Sequence, residues 1–129
     1  MKRFNTDAVL NSALQSNGAF FAFSKSQFEE QKQEGINYIS IGHGMVCPSE
    51  NIDKLIHEME NISKNRISWE LENNTKKEII WYELANHECQ IVGNYSEVVE
   101  LLTEYGITRE EIAAEWGDYF QHCIDNDYF

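Results

Sequence analysis

Three helix-start signatures constrain what this chain can fold into more than any other feature. Ser24 with Gln27, Thr75 with Glu78 and Thr108 with Glu111 each set a hydroxyl three residues before an amide or carboxylate. Such a pair satisfies two main-chain N–H groups that a helix start otherwise leaves bare. Phe23 with Phe28 and Ile107 with Ile112 occupy the apolar staple positions around two of these starts, and Gly106 stands where a helix would close in a left-handed residue. These marks predict helices at about 6–16, 24–33, 49–64, 76–89, 96–105 and 109–123. Ile52, Leu55, Ile56, Met59 and Ile62 form one buried stripe; Val98, Leu101, Leu102 and Tyr105 form another. Ile112, Trp116, Tyr119 and Cys123 form a third, with Gly117 inside the helix marking close packing or a kink.

Two apolar runs read as strands, 19–23 and 38–41, and Gly42-His43-Gly44 turns the second into a third, 45–47. The single proline, Pro48, is placed at the start of the long helix, where its missing N–H costs little. Segment 65–74 stays ambiguous, because Ile67, Trp69 and Leu71 alternate as in a strand. The expected fold is α+β and mostly helical: a small antiparallel sheet near the N-terminus, covered by five to six helices.

The chain has 129 residues, 42% apolar and 25% charged, which suits one globular domain over residues 1–129. Its net charge of −12 is the anomaly. Duplex DNA and anionic membranes repel such a surface, so direct binding to either is not expected. No signal-peptide run or membrane-length apolar segment is present, and the three cysteines, Cys47, Cys89 and Cys123, read as reduced thiols. The expected location is the cytoplasm of a bacterial host cell.

A set of short motifs runs in fixed order: Phe20-Phe21-Ala22-Phe23-Ser24 with Gln27-Phe28, Gly42-His43-Gly44 before Pro48, Glu83-Leu84-Ala85-Asn86-His87-Glu88, and Tyr105-Gly106-Ile107-Thr108. Over residues 18–115 this order resembles a group of small uncharacterised proteins of bacteria, phages and other mobile elements. The resemblance implies a small protein travelling with mobile DNA, and no established activity. Acidic proteins in that setting often inhibit host defence, as anti-CRISPR and anti-restriction proteins do.

Few residues carry a chemical signature. Glu83 and His87 lie four apart and share a helix face, the weak outline of a metal site, with Cys89 beside them. His43 near Cys47 and His122 beside Cys123 complete three His/Cys pairs, but no Cys-x-x-Cys or His-Glu-x-x-His spacing occurs. Core cysteines and a helix-end histidine explain these residues better. Cys47 as a nucleophile lacks a marked third partner, and Gly42-His43-Gly44 lacks the length and the lysine of a phosphate loop. The expectation is therefore no catalytic residue, no metal and no cofactor.

Charge placement is the sharper signal. Residues 1–77 hold ten acids and nine bases, whereas residues 78–129 hold twelve acids and only Arg109. Glu97, Glu100 and Glu104 line one helix stripe; Glu111, Glu115 and Asp118 line another, continued by Asp125. Like charges at these spacings destabilise a helix by about 0.2–0.5 kcal/mol per pair. A solvated face is the plain explanation. The functional one is a carboxylate surface that imitates nucleic-acid phosphates and occupies the basic groove of a protein that binds nucleic acid. The sequence thus points to a non-enzymatic interaction protein, with a small metal-dependent enzyme using Glu83, His87 and His43, or an adaptor with a non-basic partner, as rivals. Tyr128 and Phe129 form either a docking peptide or a tail folded back on the domain.

Overall fold

The computed structural model describes all residues, 1–129. Seven α-helices and three short strands make it α+β and mostly helical. The order is α1 (Thr6–Ser16), β1 (Phe20–Phe21), α2 (Lys25–Gln31), β2 (Tyr38–Ser40), β3 (Met45–Pro48), α3 (Ile52–Asn73), α4 (Lys76–Asn86), α5 (Cys89–Val92), α6 (Ser96–Leu102) and α7 (Arg109–Asp125). The chain forms two compact units, one of residues Asn5–Asn65 and one of Met1–Phe4 with Arg66–Phe129.

In the first unit, Asn5 caps α1 through its side-chain oxygen, which accepts from the Ala8 N–H at 3.2 Å. The sheet is antiparallel in the order β1-β3-β2, with Phe20 opposite Val46 and Ile39 opposite Cys47. The central strand β3 is buried along its length, and Met45 and Cys47 pack with Leu14, Ala19 and Leu55. The turn into β3 is left-handed at three successive residues, Gly42, His43 and Gly44. A Cβ on Gly44 would overlap the ring of Phe23, so glycine is required there twice over. Pro48 ends β3 rather than starting the long helix; a 3-10 turn, Ser49–Asn51, intervenes. Only Phe20 and Phe21 of the apolar run 19–23 pair as strand.

In the second unit, both predicted capping boxes close: Thr75 with Glu78 and Thr108 with Glu111 exchange hydrogen bonds in both directions. The Ser24 box forms by half, since Gln27 accepts from the Phe23 N–H instead of that of Ser24. Ile79, Ile80, Leu84, Val98, Leu102 and Ile112 build the core of this unit, together with Cys89 and Cys123. Gly106 is left-handed, at φ 71°, and both staple residues Ile107 and Ile112 are buried.

Segment 65–74 is helix, the continuation of α3 to Asn73. Its alternation misleads because Ile67 and Leu71, four apart, pack on the core while Trp69 turns to the ring of Phe4 at 6.0 Å. The predicted helix 76–89 breaks after Asn86, where Glu88 is left-handed at φ 49°, and α5 begins at Cys89. The predicted helix 96–105 tightens into a 3-10 turn after Leu102. Gly117 does not mark close packing: a Cβ there would meet nothing within 4 Å. No helix is long and apolar enough to cross a membrane.

Candidate functional site

The acidic residues of the second unit divide into partnered and free. Glu111 is held by Lys76 Nζ at 2.9 Å and by its capping box with Thr108, and Lys76 first, then the Thr108 hydrogen bonds, keep its carboxyl below the ordinary range. Glu115 accepts from the Trp81 indole N–H at 2.9 Å. Both are half-buried, so the second predicted stripe loses two of its members to structure. Glu97 is exposed and meets His87 Nδ1 at 3.1 Å. Glu100, Glu104, Glu110, Asp118 and Asp125 are exposed and have no Lys or Arg partner, although Asp125 accepts from the Gln121 amide at 2.9 Å. The second unit carries fourteen acids against six bases; the first carries eight against four.

Glu83 and His87 do meet, with His87 Nε2 3.6 Å from the Glu83 carboxylate, and Glu97 joins them. His87 is the C-cap residue of α4. No group of three or more His, Cys, Asp or Glu side chains is disposed to hold a metal ion. Cys89 is buried, and burial followed by the nearby Glu97 charge pushes its thiol up, the opposite of what activates a nucleophile. Cys47 is wholly buried in β3 with its thiol likewise raised by burial, whereas His43 is exposed in the hairpin turn.

Two features escaped sequence reasoning. One is Glu70, 1% exposed on α3, which accepts from the Tyr105 hydroxyl at 2.5 Å and lies 3.5 Å from Arg3 Nε. The other is a cleft of about 520 Å³ in the second unit, walled by Trp81, Tyr82, Tyr119, His122 and Tyr128, with Glu78 at its edge. Gln90 braces it by accepting from the Tyr119 hydroxyl at 2.8 Å and donating to the Tyr128 carbonyl at 3.0 Å. The C-terminal tail is thus folded back: the Tyr128 N–H also bonds the Cys123 carbonyl, and Phe129 packs edge-on against Phe120.

A family model of unknown function matches residues 7–122. The chain belongs to this family, DUF7659. Membership in DUF7659 takes in both units and every cleft residue except Met1 and Tyr128. No curated protein matches the chain, and no solved structure does.

Proposed function

We propose that this protein is a non-enzymatic, cytoplasmic binding protein. In this reading the free carboxylates of its second unit occupy the basic groove of a protein that handles nucleic acid and thereby inhibit it. One observation carries the reading: Glu100, Glu104, Glu110, Asp118 and Asp125 are exposed, negative and without a basic partner. Glu100 in α6 and Glu104 in the 3-10 turn after it are like charges four residues apart that no basic side chain offsets. A groove lined by Lys and Arg releases bound anions when carboxylates replace phosphates, so the contact is strong at low salt and specific in position.

In the setting that the sequence resemblance implies, a defence complex of anti-CRISPR or anti-restriction target type is the natural partner. The test is displacement from duplex-DNA resin loaded with host-cell extract. The protein is expected to elute a defined polypeptide at low salt and to lose that ability as salt rises. Elution no different from that by a neutral protein would overturn the proposal.

A further inference from the structure

The aromatic cleft of the second unit is lined by residues other than the five exposed carboxylates, and its chemistry selects a different ligand. Four of its walls, Trp81, Tyr82, Tyr119 and Tyr128, present π-systems whose faces are electron-rich. Two of these rings already hold a cation of the chain itself: Lys77 Nζ lies 5.1 Å from the Trp81 ring centroid, and the Arg3 guanidinium 4.6 Å from that of Tyr82. No lysine or arginine side chain lines the cleft; Met1 does, and Glu78 beside it has its carboxyl lowered by the Thr75 hydrogen bonds and then by the charges of the N-terminal ammonium and Lys2. The unit around it is strongly acidic, which excludes phosphate-bearing ligands and raises the local concentration of cations. Hydrogen bonds through Gln90 fix Tyr119 and the Tyr128 main chain, so the walls are set before a ligand arrives.

We infer that this cleft is a binding site for a small organic cation with a methylated ammonium head, held by cation–π contact with Trp81 and the tyrosines and by the charge of Glu78. Methyl groups suit the apolar walls, and a head too weakly hydrated to resist desolvation suits ring faces better than a bare ammonium does. This site uses residues other than the exposed carboxylates, and its failure would leave the proposed function untouched.

Choline is the probe, and its neutral isostere 3,3-dimethylbutan-1-ol, which replaces the charged nitrogen by carbon, is the control. The readout is the indole N–H resonance of Trp81 in the full chain, assigned through Trp81→Phe. Choline should shift this signal saturably, the isostere should bind at least about tenfold more weakly, and the indole signals of Trp69 and Trp116 should hold still. Tyr128 is half exposed at the tail, so Tyr128→Ala leaves the core and the main-chain carbonyl bonded to Gln90 in place. That variant should weaken choline binding about threefold or more with an unchanged unfolding midpoint. Absence of saturation below about 10 mM choline, equal binding of the isostere, or an equal shift of all three indoles would overturn the inference.

Discussion

The Tyr105 hydroxyl donates to the carboxylate of Glu70 across 2.5 Å in the interior of the second unit. The pair joins α3 to the turn before Gly106, over thirty-five residues of sequence, and Arg3 supplies the compensating positive charge at 3.5 Å. A buried carboxylate needs such partners, because its charge has no water to solvate it.

Replacing Tyr105 by Phe removes the donor while keeping the ring. The variant should lose about 1–3 kcal/mol of stability, the usual cost of leaving a buried polar group unpaired, measured by urea unfolding. Burial, then the hydrogen bond and charge of Glu70, push the Tyr105 phenol up to about 12. A group raised in the folded state contributes stability below its unfolded value near 10, and loses it as pH climbs through about 12. The wild type should therefore weaken over pH 10–12, and Tyr105→Phe should weaken less steeply there.

Gly117 lies in the middle of α7 with open space around the place of a Cβ. Gly117→Ala should stabilise the protein by about 0.5–1 kcal/mol, through helix propensity and a less flexible unfolded chain. A thermal midpoint that falls would show that something packs against this glycine.

All three thiols are free and buried. Cys47 and Cys123 are wholly buried, so reagent access requires opening of the fold. Native labelling should be slow at both, and should rise to completion in denaturant with no disulfide found. Fast labelling of Cys123 would mean that the buried face of α7 is misplaced.

The helix plan was legible because it is written locally. Thr75, Thr108 and Gly106 act on the few residues beside them, and the structure closes both Thr boxes. The long α3 was half hidden because Ile67, Trp69 and Leu71 serve two neighbours, the core and Phe4, and so lack a single stripe. Glu70 was invisible for a related reason: an acid in a helix reads as solvated until Tyr105 and Arg3 arrive from elsewhere in the sequence. The cleft depends on Gln90 and Tyr128 meeting α4 and α7, which no spacing announces. The acidic residues were found, but not their duties. Lys76 and Trp81 claim Glu111 and Glu115, and only a structure separates those two from Glu100, Glu104 and Asp118.

That separation defines the measurement closest to the central claim. Glu100, Glu104 and Asp118 are reversed to lysine in one variant; Glu30, Glu34 and Glu60, exposed residues of the first unit, are reversed in another. Both variants move the net charge from −12 to −6, so an effect of bulk charge treats them alike. Surface changes of this kind should leave each fold within about 0.5 kcal/mol per position. The account predicts that the first variant no longer displaces the DNA-binding polypeptide from the resin, while the second still does so at close to wild-type concentration. Equal displacement by the two variants would contradict it.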